Sequence, residues 1–156
     1  MIFKDLQPLS IVEDEGFRKF VQDLDPRYQL PTRKTLRDNL IPDIFQKETD
    51  SLKKELATAK SVALTTDLWT SQANQSFMAI TCHFWCSVRA SLQTRILDCA
   101  RFEGHHTSAA IQEEIERVCG EYQINGKVST ITADGAANVK KAIRDSGANV
   151  IKCYKL

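Results

Sequence analysis

The sequence predicts an α/β fold: a mixed sheet built as a three-strand antiparallel meander, a helix, a parallel strand and a helix, preceded by an all-helical segment. Three observations carry this. The apolar period changes from helical to alternating at Ser61, so that 1–60 reads as a helical segment and 61–156 as the sheet-bearing part. Two stretches, SVALTTDLWTS (61–71) and KVSTITADGAA (127–137), share one design, a β-branched run that ends in a carboxylate. Branched side chains suit a pleated surface and lose rotamers in a helix. The connections between the first three strands are short, which favours antiparallel neighbours.

Residues 1–12 show no sustained period and form a lead-in. Phe17, Phe20, Val21 and Leu24 then recur at i, i+3, i+4 and i+7, an amphipathic helix that Asp25-Pro26 stops. Thr32 is placed to cap a second helical stretch carrying Leu36 and Leu40. Pro42 is expected to break or kink it, because proline lacks the backbone donor and crowds the preceding turn. Ile44, Phe45, Leu52, Leu56 and Ala59 continue the period.

After the first strand, 72–75 is a polar turn. Residues 76–87 alternate with apolar side chains on both sides, which predicts a strand covered on both faces. Residues 90–102 read as a third strand. Thr107 or Ser108 caps a helix whose buried stripe is Ile111, Ile115, Val118, Cys119 and Tyr122. Asn125-Gly126 turns the chain into the strand that ends at Asp134, and Gly135 opens a helix with Val139 and Ile143 inward and Gly147 as its C-cap. A fifth strand is absent or only begun at 150–154. That leaves an unpaired sheet edge and an expectation of self-association.

A right-handed crossover sets the fourth strand parallel to the first. Asp67 and Asp134 then face one another at one sheet edge, about 4.8 Å of strand spacing apart. Two readings stand on spacing alone. The pair is a site for Mg²⁺ or Mn²⁺, hard ions that take few carboxylates and leave positions for phosphate oxygens. Or both acids are solvated turn residues. Trp69 can stack on a base or pack beside its strand, and packing is the commoner role. Arg33, Lys34 and Arg37, with Arg27 nearby, form a local basic cluster able to meet phosphate, or an ordinary exposed helical face.

Composition narrows the classes. Of 156 residues, 42% are hydrophobic and 26% charged, enough for a packed core, and the net charge of +1 gives no bulk attraction to nucleic acid. Five cysteines, an odd number at irregular spacing, fit a reducing compartment better than a disulfide framework. No apolar run is long enough to span a bilayer, and the first residues lack a signal peptide's apolar core, so a soluble intracellular chain is expected. Cys82 and Cys86 would share a strand face about 13 Å apart, too far to hold one ion, and no zinc is expected on this segment even with His83, His105 and His106 nearby.

The segments TTDLWTS and ITADGAANVKKAI resemble the first two acidic motifs of hAT-superfamily transposases, whose catalytic core has a ribonuclease-H-like fold. Upstream, LDPRYQLPTRKTLRDNLIPDIF, and GHHTSAAI before the later helix, resemble the BED-zinc-finger branch of that superfamily, including its domesticated members. The resemblance covers about Phe17 to Cys153. It implies that Asp67 and Asp134 match the first two metal-binding carboxylates of a DDE site. It also implies a third acid, a glutamate far downstream beyond a helical insertion, and a BED zinc finger on the N-terminal side. Where the family continues with a Cys-x-x-His element, this chain reads Tyr154-Lys155-Leu156 after Cys153. The resemblance therefore implies the first half of a catalytic core, not an enzyme by itself, from a nuclear DNA-binding protein. DNA is the implied partner, with no membrane and no small-molecule substrate. A non-catalytic dimerisation or interaction module of a transcriptional regulator, with both aspartates as relics, is the competing expectation.

Overall fold

The computed structural model describes residues 5–103, 106–134, 136–146 and 149–152, the last four in backbone only. Gly135, Gly147, His105 and Cys153, each given a role above, lie outside the described residues. The chain divides into two compact units, Met1–Ser51 and Leu52–Leu156.

In the first unit a 3-10 turn, Leu9–Glu13, leads into helix α1, Glu15–Leu24. The amphipathic stripe of α1 forms without closing a core: Phe20 and Leu24 stay exposed, and no residue of the helix is fully buried. The Thr32 hydroxyl accepts the Thr35 amide at 3.0 Å and caps α2, Arg33–Thr35. Of the break or kink expected at Pro42, the break does not occur, since α3 extends from Ile41 to Thr58. The turn before it, Leu36–Leu40, is a π-helical turn in which the Ile41 amide donates to the Leu36 carbonyl five residues back. Such a wide turn shifts the bonding pattern just where proline could not donate and would crowd the carbonyl four residues behind it.

The second unit is a five-stranded sheet in the order β3-β2-β1-β4-β5. The strands are β1, Val62–Thr70; β2, Ser76–Cys86; β3, Ser91–Arg101; β4, Val128–Ala133; and β5, Asn149–Lys152. β1–β3 form the antiparallel meander, and β4 and β5 run parallel to β1. Helix α4, Ser108–Glu121, connects β3 to β4, and α5, Ala137–Asp145, connects β4 to β5. Thr107 caps α4 by accepting the Ala110 amide at 3.2 Å.

Alternation fixes which face is packed. Val62, Leu64 and Thr66 of β1, Met78, Ile80, Cys82, Phe84 and Cys86 of β2, and Ile131 and Ala133 of β4 are buried. They share one core with Ile111, Ile115 and Val118 of α4 and Val139, Ala142 and Ile143 of α5. Burial of this kind contributes roughly 1.5–3 kcal/mol for each large aliphatic side chain. The other side of β2 is not covered as expected. Ala79, Thr81 and His83 are only half-buried and Trp85 is 59% exposed. Apolar residues on both sides of a strand record its composition, and here the helices pack on one face.

The sheet has two irregularities. Ile80 pairs with Asp98 and Thr81 with Ile96, so Leu97 is an extra residue in β3. The Tyr122 hydroxyl donates to the Leu97 carbonyl at 2.9 Å, meeting an acceptor that a bulge leaves out of the ladder. Between β1 and β4, Val62 pairs with Val128 and Ala63 with Thr130, which makes Ser129 the extra residue. The fifth strand is begun: Thr130–Ala133 of β4 pair with Asn149–Lys152. The edge of β4 is therefore covered, and among the described residues β3 is the long edge strand with no strand beyond it. No helix among the described residues is long and apolar enough to cross a membrane.

Candidate functional site

The acid pair follows from the sheet register. Thr66 of β1 is the parallel partner of Ala133 of β4, the last residue of that strand. Asp67 and Asp134 are the next residues along each strand direction, so they stand side by side where the β1–β4 ladder ends; β1 does not stop at Asp67, as its sequence suggested, but runs on to Thr70 against β2. Alternation sends both to the face away from α4 and α5, because Thr66 and Ala133 before them are buried in the core. Ligands of open α/β sheets sit at this end of the strands. Asp67 is exposed and Asp134 half-buried. The Ala136 amide donates to Asp134 Oδ1 at 3.4 Å, a short local tether ahead of α5.

Two surrounding features were not legible in the sequence. The Thr66 hydroxyl is buried with no hydrogen-bond partner, directly before Asp67. Asn138, in the first turn of α5, donates through Nδ2 to the His106 carbonyl at 2.6 Å, holding the segment before α4 against the segment after Asp134. An Asn near a helix start is a common signal for a local cap. Its partner thirty-two residues away leaves no trace in spacing.

Trp69 is 40% exposed and stacks on Phe77, its cross-strand neighbour, with ring centroids 5.7 Å apart and an interplanar angle of 17°. The basic cluster belongs to the first unit and is largely engaged. Arg33 lies 3.8 Å from Glu13, Arg27 pairs with Asp25, and Arg37 Nε donates to Asp38 Oδ1 at 2.6 Å. The hydrogen bond that Arg37 donates to Asp38 raises the Arg37 pKa further and lowers that of Asp38. Lys34 is exposed.

Cys82 and Cys86 lie on the core face of β2. Burial pushes the Cys82 thiol up to about 12, with the nearby Cys119 adding to the shift, and burial pushes Cys119 up to about 11. Thiols held neutral in this way are poor metal ligands. Among the described residues no three His, Cys, Asp or Glu side chains gather as a metal cluster. The acid pair thus offers two carboxylates. Hard oxygen donors on rigid strand ends, open to water on one side, suit Mg²⁺ or Mn²⁺, which keep several waters.

Three antiparallel strands, a crossover helix and two parallel strands in the order 3-2-1-4-5, with an acid on β1 and another just after β4 where their ladder ends, define a ribonuclease-H-like core. The chain belongs to the ZBED1 RNase-like domain family, whose model matches residues 65–150. It is an hAT-type, transposase-derived BED protein sequence. The AC transposase of Zea mays is 32% identical over 143 residues, which cover 88% of this chain and 17% of that protein. Zinc finger BED domain-containing protein 4 of Homo sapiens is 24% identical over 165 residues, 99% of this chain and 14% of that protein. The chain therefore spans less than a fifth of the length of these relatives. Among solved structures, Ciona intestinalis endonuclease V in complex with DNA overlays 76% of this chain and 60% of its own, at 10% identity and a TM-score of 0.38.

Proposed function

We propose that this chain is part of the DNA-processing core of a nuclear, transposase-derived BED protein, and that Asp67 and Asp134 together hold Mg²⁺ or Mn²⁺. The observation that carries the reading is the pairing of Thr66 with Ala133, after which both acids follow in step on one face. Bound there, the ion would supply charge stabilisation and nucleophile activation for DNA cleavage and strand transfer. The chain's own contribution is placement. Pairing with β2 fixes Asp67 opposite Ala79, and the Ala136 amide steadies Asp134. Two acids bind an ion weakly, so the activity of the whole protein requires more than this segment.

Trp69, half-exposed beside the acids, would offer an aromatic face to DNA while Phe77 backs it. Arg33, Lys34 and Arg37 would meet phosphate, the two arginines exchanging Glu13 and Asp38 for it. Self-association would use the uncovered β3 edge.

The test is the thermal midpoint during titration with Mn²⁺. A ligand that binds only the folded state stabilises by about 1.4 kcal/mol at roughly ten times its Kd. The midpoint should rise at millimolar Mn²⁺, Asp67→Asn should abolish the rise, and Asp145→Asn on α5 should leave it intact. A metal response that survives Asp67→Asn, or a folded wild type without one, overturns the paired site.

A further inference from the structure

We infer that the outer face of the sheet carries a second DNA contact, a cavity at the start of β1 that takes an unstacked base of a single strand on Trp85 and its phosphate on Lys60. The inference rests on the reading of the chain as a DNA-processing core and extends it to a site some distance from the acids.

The cavity measures about 460 Å³ and is lined by Lys60, Ser61, His83, Trp85, Leu92 and Ser129, among others. This lies within the size range of small-molecule and cofactor sites, about 300–1,000 Å³. Its position is set by the register. Trp85 pairs with Leu92 across β2 and β3, and since Val62 pairs with Phe84, Ser61 lies beside Trp85 on the other side. The bulge at Ser129 forms the far wall, where the Ser129 hydroxyl donates to the Val62 carbonyl at 3.0 Å. His83 is held as a wall residue: Nδ1 lies 3.0 Å from the Thr94 hydroxyl and Nε2 lies 3.3 Å from the Thr65 hydroxyl.

The chemistry of the lining selects the occupant. Among the described residues no Asp or Glu lines the cavity. Lys60 is exposed, and no carboxylate pairs with it among the described residues. Trp85 presents an indole that is 59% exposed, on a strand whose core-facing side chains are the even-numbered ones. One aromatic face, one unneutralised cation and several hydroxyls with no opposing charge match a planar, anionic ligand. A nucleotide within a single strand has both parts, and base stacking on an aromatic needs no particular sequence. Ala63 and Asp67 project from the same face of β1, four residues or about 13 Å apart. A strand crossing the outer face would meet the cavity and the acid pair in turn.

Trp69 and Trp85 are the two tryptophans of the chain, so Trp69→Phe leaves Trp85 as the sole indole reporter. The chain would be titrated with an oligothymidine in EDTA, following Trp85 emission and the anisotropy of a labelled oligonucleotide. Saturable quenching of Trp85 is expected. In the wild-type background Trp85→Ala should weaken binding about 5- to 150-fold and Trp85→Phe much less. Lys60→Gln should reduce the salt slope by about 0.7. Binding with Trp85 emission unchanged overturns the inference, as does equal affinity of a folded Trp85→Ala variant or no binding by the wild-type chain. Emission that instead follows protein concentration without DNA assigns the surface to a second copy, and also overturns it. EDTA separates this test from the metal titration. A lost Mn²⁺ response with quenching retained sinks the acid pair alone, and the reverse result sinks this cavity alone.

Discussion

Asp67→Asn and Asp134→Asn, made singly and together, measure how closely the two acids stand in the metal-free protein. At about 5 Å, one strand spacing, two unit charges repel by roughly 0.8 kcal/mol in water and roughly 3 kcal/mol at an effective dielectric of 20. Asp67 is exposed and Asp134 half-buried, which puts the pair nearer the lower figure, at about 1 kcal/mol. Each single variant should therefore stabilise the apo chain, raising its thermal midpoint by about 2–4 °C. The double variant should gain little beyond either single one, since the repulsion can be removed only once. Asparagine at position 134 still offers Oδ1 to the Ala136 amide, so that tether drops out of the cycle. Urea unfolding of the four proteins in low salt and in about 1 M salt gives the coupling energy, and screening over roughly 3 Å at the higher salt should nearly erase it. Coupling below about 0.3 kcal/mol in low salt, the ordinary scatter of independent sites, would refute the side-by-side placement.

Thr66→Val removes a buried hydroxyl with no partner and keeps the side-chain shape, so it should stabilise by about 1 kcal/mol, read by calorimetry. A loss of stability would show that the hydroxyl is satisfied. Lys127 donates through Nζ to the Leu56 and Ala57 carbonyls at 3.0 and 2.8 Å, closing the end of α3, and Lys127→Met should cost about 1–2 kcal/mol in urea unfolding, against no change for the exposed Lys54→Met. The Cys82 thiol is raised from an ordinary 9.0 to about 12 in the folded chain, so its contribution to stability is whole below pH 9 and is lost as pH rises towards 12. Cys82→Ala should flatten the alkaline limb of stability against pH, and an unchanged limb counts against the burial argument. Sedimentation at micromolar concentration should show species above the monomer, paired through β3, and a clean monomer counts against that edge.

The meander and the crossover were legible because they are local: β-branched runs, alternation and short turns specify β1–β4, and the handedness of the crossover places Asp134 beside Asp67. The bulges at Leu97 and Ser129 were not, since neither position carries glycine or proline, and each is defined by a partner strand. Coverage was misjudged at β2, where Trp85 and Phe84 look equally apolar in sequence but only Phe84 meets the helices. Pro42 was read from its own restrictions, whereas the accommodation lies in the wide turn of the residues before it. The Thr35 amide bonded to Thr32 was foreseeable from the cap signal, but the pairing of Arg33 with Glu13 and Arg37 with Asp38 depends on rotamers that a run of basic letters does not reveal.

The tie from Lys127 to the end of α3 joins groups 71 and 70 residues apart. The same residue accepts the Val62 amide through its carbonyl at 2.9 Å, at the first rung of β1. The Val62 amide is thus sealed only after the meander and α4 have brought β4 alongside. Its hydrogen exchange should be governed by the opening of that whole cooperative block, while amides of the β2–β3 hairpin exchange through smaller, cheaper openings. One slowly exchanging amide near the start of the sheet would then report when its last long-range closure has been made.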